Sequence, residues 1–172
     1  MQSLIENIEK VTTDIGKAFS WLIVPLVLSL CYEVFARYVL GQPTIWAFDI
    51  TYMLMAAIFL TAAAYTLAEN RHIRIDVFYG KFSPTTKAWV DLIGYAVLFL
   101  PVIALLSYFS VGNVIESIRK SETSDLSPWH PVMWPFRAAI ALCFCLLFIQ
   151  GMCEVLKSIL MLSNKAKDAK HA

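Results

Sequence analysis

The charged residues are spaced so that four long apolar stretches remain between them. Uncharged runs cover residues 18–32, 50–68, 92–115 and 138–153. Each run approaches the ~20 residues that a helix needs to cross about 30 Å of hydrocarbon. The pattern predicts an all-α integral membrane protein with four transmembrane helices, at about residues 18–38, 45–67, 88–111 and 132–153.

The segments that flank these spans differ from them. Residues 1–17 are polar but place apolar side chains at helical spacing, which predicts an amphipathic helix on the inner membrane surface. A simple extension of the first span into water would have the same spacing. Residues 18–162 form the membrane domain, Pro25 predicts a kink in its first span, and the weakly hydrophobic residues 163–172 predict a disordered tail.

The positive charges predict the topology. If the N-terminus is cytoplasmic, only four of the 14 Lys and Arg residues lie outside. These four are Arg37, Arg119, Lys120 and Arg137. Cytoplasmic segments carry an excess of Lys and Arg, so both termini are expected in the cytoplasm.

The composition excludes several functional classes. With 59% hydrophobic and 16% charged residues and a mean hydropathy of +0.64, the chain is too apolar for a soluble domain. Its net charge of +1 gives no field that would attract nucleic acid. The four cysteines form no CxxC pair and the three histidines lie outside the spans, so neither a cofactor nor an enzyme is expected.

Charged side chains inside predicted spans are the main candidate functional residues, because charge is costly in hydrocarbon. They are Glu33, Arg37, Asp49 and Arg137. The topology places all four in the outer half of the bilayer near Trp46, where Arg37 could pair with both Glu33 and Asp49. Such a cluster locks the helices or contacts a partner subunit, or else binds substrate or protons. The first interpretation is favoured, since no carboxylate stands alone near the midplane.

The connections between spans supply two further candidate sites. The predicted inner loop contains Arg71, His72, Arg74 and Asp76. It sets the topology or binds anionic lipid headgroups. On the outer side, the turn at Gln42 and the segment 112–131 are exposed. The latter carries Arg119, Lys120 and Trp129. It is either a contact surface or a linker.

Two motifs carry a family resemblance. The segment from Arg37 to Pro43, followed by Trp46 and Asp49, resembles the small membrane subunit of tripartite ATP-independent periplasmic (TRAP) transporters. The run from His72 to Asp76 does so as well. The chain departs from the family pattern in having Asp49 where Glu is more frequent and Ile75 where Val is frequent.

The resemblance implies a function that the residues alone do not. It implies a non-catalytic subunit of the bacterial inner membrane that is a scaffold for a large, elevator-type permease. The permease would carry the sodium and substrate sites, and a periplasmic binding protein would deliver an organic acid. The competing hypothesis is a four-helix transporter or channel that works without other subunits, and a membrane redox enzyme is a third.

Overall fold

The computed structural model describes residues 2–69 and 84–168, which are mostly helical. The elements are α1 (Gln2–Ser20), α2 (Ile23–Tyr38), α3 (Ala47–Ala68), α4 (Pro84–Ile93), a π-helical segment (Gly94–Phe99), α5 (Leu100–Arg119) and α6 (Trp134–Asp168). Four helical stretches are long and apolar enough to cross a membrane: Ile5–Tyr38, Ala47–Ala68, Thr85–Arg119 and Trp134–Ser163. The all-α architecture with four membrane-spanning helices is confirmed.

Two helices continue beyond their predicted ends. Helix α5 ends at Arg119, so the outer connection predicted to begin at Gly112 begins at Lys120. An i,i+4 ion pair between Glu116 and Lys120 supports the additional turns. Helix α6 continues to Asp168, which corrects the boundary predicted for a disordered tail. Charge and low hydropathy limit a span, but they do not end a helix.

Proline determines where the first and third spans depart from α-helix. Pro25 cannot donate to the carbonyl of Trp21, and its ring would clash with it in a continuous helix. The chain breaks at Trp21 and Leu22, where Leu22 N–H donates to the Phe19 carbonyl (3.0 Å). The predicted kink therefore lies one turn before Pro25. The π-helical segment lies just before Pro101, with Leu100 N–H donating to the carbonyl of Tyr95.

Helices α3 and α6 form the centre of the fold and run parallel. The tilted rings of Tyr52 and Phe136 pack with their centroids 5.3 Å apart, and Thr61 Oγ1 lies 3.0 Å from Cys143 Sγ. Farther along both helices, Ala64 and Leu67 pack with Leu147 in a fully apolar cluster. Contacts at three successive levels give this pair a defined register.

The four spans pack in a single row rather than around a common interior. Helix α2 packs on α3, α3 on α6, and α6 on α4, the π-helical segment and α5. The most apolar stretches of the first and third spans contain no buried residue, against 22% and 39% for the second and fourth. Within residues 2–69 and 84–168 the row is one helix thick, and α1 is the other described helix that covers part of it.

Helix α1 packs against two helices of the row. It contacts α3 near Tyr65 and α6 near Lys157. Thr12 is buried, and Gly16 lies directly against Tyr65 of α3. Lys157 of α6 forms ion pairs with Glu9 of α1 and with Glu154 (2.7 Å). The predicted amphipathic helix is confirmed as a helix. Its buried face contacts α3 and α6, which the sequence pattern does not specify.

The helices of the row have two ends along their axes, which we call the terminal end and the loop end. The terminal end contains α1, Glu154 and Lys157. The loop end contains the turn 39–46 between α2 and α3 and the loop 120–133 between α5 and α6.

Candidate functional site

The loop end brings together the charged residues predicted inside the spans, but in three separate groups. Glu33 and Arg37 form the first group, Asp49 the second and Arg137 the third. Each group has its own partner within the chain. The charges are neighbours, as expected, but they do not form one cluster.

The Glu33 group closes the turn between α2 and α3. Arg37 Nε donates to Glu33 Oε1 (2.9 Å), which confirms the predicted i,i+4 pair. The other carboxylate oxygen accepts from the backbone N–H of Thr44 (2.9 Å) and from its hydroxyl. The Arg37 side chain remains 56% exposed, so it can still contact a partner.

The turn itself follows from local chemistry. Gly41 has φ +65°, a conformation that glycine adopts without steric cost. Gln42 N–H donates to the Ala36 carbonyl (3.0 Å), which satisfies the end of α2 and leaves Gln42 exposed. Trp46 stacks on Tyr32 across the turn, with centroids 5.8 Å apart.

Asp49 does not pair with Arg37, and the predicted ion pair between them is wrong. The Asp49 side chain is fully buried at the start of α3 and accepts a hydrogen bond from Ser124 Oγ (2.9 Å) and another from Ser127 Oγ. Arg37 instead lies on the exposed side of α2 with Glu33. Because Glu33 lies four residues before Arg37, the guanidinium pairs with a carboxylate on its own helix, and loop hydroxyls cover Asp49.

The loop 120–133 folds back on itself above Asp49. Ser124 N–H donates to the Pro131 carbonyl (2.8 Å), and Met133 N–H donates to the Glu122 carbonyl (2.9 Å). His130 has φ +48°, and its Nδ1 lies 2.8 Å from the carbonyl of Ser124. This is an ordered loop with internal hydrogen bonds.

Arg137 fixes the far side of the same loop. Its guanidinium forms an ion pair with Glu122, and both side chains are about one-third exposed. The charge that the sequence places inside the fourth span therefore belongs to the base of the loop.

The outer surface of the loop end combines charge and apolar side chains. The Asp125 side chain is 96% exposed, and Leu126 and Trp129 are also exposed. Lys120 pairs with Glu116 (2.6 Å), and this hydrogen bond together with the nearby negative charge raises the pKa of the Lys120 ammonium. Arg119 is exposed and has no ion-pair partner among the residues that the structure describes.

Sequence reasoning missed Ser124 and Ser127. Serine in an exposed loop is ordinary, and 75 and 78 residues separate the two from Asp49. The sequence did hold one indication: Asp49 is an acid at the start of a span, and no cation on its own helix is placed to pair with it. Such an acid needs hydrogen-bond donors from elsewhere in the chain.

Other candidates carry less information. Arg71, His72, Arg74 and Asp76 lie outside the described residues. Within residues 2–69 and 84–168, no three His, Cys, Asp or Glu side chains come close enough to hold a metal ion. The four cysteines are free thiols.

Comparison with known proteins identifies the family. None of the curated proteins compared with the chain matches it. The family described as the DctQ component of tripartite ATP-independent periplasmic transporters matches over residues 26–161, which include the second and third spans, parts of the first and fourth, and the turn 39–46 and loop 120–133 of the loop end. The chain belongs to the DctQ family and is a small membrane component of a TRAP transporter.

Proposed function

We propose that this chain is a non-catalytic scaffold for the large, elevator-type permease subunit of its transporter. The observation that supports this role is the single open row of helices. A translocation route needs an interior that two or more layers of helices enclose, and the described part of the four-span row encloses none. The exposed apolar side chains along the spans give a large partner an extended surface within the bilayer.

The charges support the same role. Glu33, Asp49 and Arg137 each bind a group of this chain, so they hold turns and loops in place. A coupled transporter keeps its substrate and ion sites near the midplane. These three groups lie at the loop end, which disfavours the alternative of a four-helix transporter or channel working by itself.

The loop end faces the periplasm in this proposal, and both termini face the cytoplasm of a bacterial cell. The excess of Lys and Arg in the remaining segments supports this orientation. Arg71, His72, Arg74 and Asp76 would then meet lipid headgroups or the permease at the cytoplasmic surface. The sodium and organic-acid sites belong to the permease, and a periplasmic binding protein delivers the acid.

Reconstitution tests the proposed function. Proteoliposomes that contain this chain alone are expected to show no uptake of labelled organic acid under a sodium gradient. Addition of the large permease and the loaded binding protein should produce uptake. Sodium-driven uptake by the chain alone would contradict the scaffold role, as would a failure to co-purify with the large permease.

Docking of the binding protein at the loop end gives a second prediction. The exposed turn at Gln42 and the loop with Trp129 are what this chain offers to a soluble protein, and Arg119 is a cation without an ion-pair partner among the described residues. Electrostatic contacts of this kind act mainly on the rate of encounter. We expect Arg119→Glu to raise the binding-protein concentration that gives half-maximal uptake by about threefold to tenfold at low salt.

Arg119 is a better position for this test than Lys120, because reversal of Lys120 would also break its pair with Glu116. Lys10→Glu is the matched control, since it makes the same change in net charge on α1. Equal uptake curves for Arg119→Glu and Lys10→Glu would mean that the loop is only a linker.

A further inference from the structure

Asp49 is covered completely by the loop that it supports. Its carboxylate is 0% exposed, and each of its two oxygens accepts a hydrogen bond from a different serine of the loop. Hydrogen bonds to a charged acceptor are shorter and stronger than those between neutral groups. The carboxylate is therefore the strongest acceptor available to Ser124 and Ser127.

The two serines also fix the backbone of the loop. Ser124 Oγ accepts from the N–H of Leu126, and Ser127 Oγ accepts from the N–H of Trp129, both at 3.2 Å. Each hydroxyl thus accepts from a backbone amide while it donates its proton to Asp49. The oxygen lone pairs accept from the amide, and the O–H donates to Asp49. The carboxylate of Asp49 therefore sets the direction of each O–H bond.

This arrangement determines what the loop presents. The residues held by the two serine turns are Asp125, Leu126 and Trp129, whose side chains are exposed. His130 keeps a positive φ beside them, a conformation that persists only where surrounding contacts enforce it. The outer surface of the loop is thereby preorganised by a residue that no partner can touch.

We propose that Asp49 is a positioning residue for the docking of the binding protein. The inference rests on the proposed function, and it adds that Asp49 gives the docking surface its shape. The partner surface should offer an apolar recess for Trp129 and Leu126 and a positively charged group or hydrogen-bond donor for Asp125. Loss of the Asp49 contacts does not change the chemistry of these side chains, but it lets the loop that carries them adopt other conformations.

The expected effect is on binding of the delivery protein rather than on transport itself. When only a fraction of molecules is competent to bind, the apparent dissociation constant rises by the inverse of that fraction. A loop that keeps its shape about one-tenth of the time would need roughly tenfold more binding protein. The maximal rate depends on the permease and should stay within about twofold, because a saturating partner restores the bound population.

Two variants and one control test the proposal in the complete transporter. Asp49→Asn keeps the size of the side chain but removes the charge. Ser127→Ala alters only the loop, so it decides the result if the first variant does not accumulate in the membrane. Thr61→Val is the control. It also removes a buried polar group from α3, a hydroxyl that bonds the Ala57 carbonyl (2.7 Å) and Cys143, but this hydroxyl lies far from the loop.

The measurements are uptake against binding-protein concentration, and hydrogen exchange of residues 120–133 in the isolated chain. We expect Asp49→Asn and Ser127→Ala to speed exchange of the loop and to raise the half-saturating concentration roughly tenfold at a retained maximal rate. Thr61→Val should change neither. An unchanged half-saturating concentration despite faster exchange would overturn the inference, and so would exchange that stays slow. Absence of uptake by the unaltered complex would instead overturn the proposed function, and this inference with it.

Discussion

Replacement of Gly16 by alanine is expected to separate α1 from α3. A Cβ at this position would lie 2.8 Å from Tyr65 Cβ and 3.0 Å from Tyr65 Cγ. Tyr65 Cβ is fixed to the backbone, so rotation of the side chain cannot relieve the contact. Overpacking of this kind costs about 1–3 kcal/mol. We expect a lower free energy of unfolding in detergent and faster hydrogen exchange in α1 than in α3.

Gly112 of α5 supplies the matched control. A Cβ there would meet no atom within 4 Å, although Gly112 is helical like Gly16. Alanine stabilises a helix by about 1 kcal/mol relative to glycine, so Gly112→Ala should leave stability unchanged or raise it. If the two alanine variants lose the same stability, the close contact with Tyr65 does not hold α1 in place.

Replacement of Lys157 by methionine is the second change with a large expected effect. The ammonium lies between Glu9 and Glu154, and the Glu154 side chain is only 6% exposed. Methionine fills a similar volume but leaves two neighbouring carboxylates without a cation. Because Lys157 is partly exposed, we expect a loss of about 2–3 kcal/mol, between the values for surface and for buried pairs.

Lys10→Met separates this effect from the loss of any lysine. Lys10 is an exposed residue of α1, and its replacement should change stability by less than about 0.5 kcal/mol. Conversion of both Glu9 and Glu154 to glutamine in the Lys157→Met background should restore part of the loss, since it removes the unpaired charge. Thermal unfolding of the unaltered chain and of these three variants measures both effects. No recovery in the triple variant would mean that the lysine acts through packing alone.

The sequence was sufficient to predict the spans but not all of their ends. Long uncharged runs require burial in hydrocarbon whatever their neighbours are, so the four spans could be located without a structure. Helix ends depend on local contacts that hydropathy does not include. The pair of Glu116 with Lys120 extends α5, and Pro25 moves a break to Trp21 and Leu22.

The same division applies to the loop end. The pair of Glu33 with Arg37 follows from spacing on one helix, and it was predicted. The partners of Asp49 come from a loop on the far side of the third span, and no local rule connects them. Arg37 was predicted as the partner of Asp49 because only a short turn separates the two in the sequence. In the structure, the hydroxyls of Ser124 and Ser127 donate the hydrogen bonds that Asp49 accepts.

The parallel pairing of α3 with α6 has a consequence for the order of biosynthesis. Thr61 and Cys143 are 82 residues apart, and the chain is made from the N-terminus. Helix α3 therefore leaves the ribosome long before its principal neighbour does. Until α6 follows, the polar atoms of Thr61 and Cys143 cannot meet, and α1 lacks Lys157. The contacts that join the two halves of the row are the last to become available, so the packing of α6 against α1, α3 and α5 forms only when the fourth span is complete.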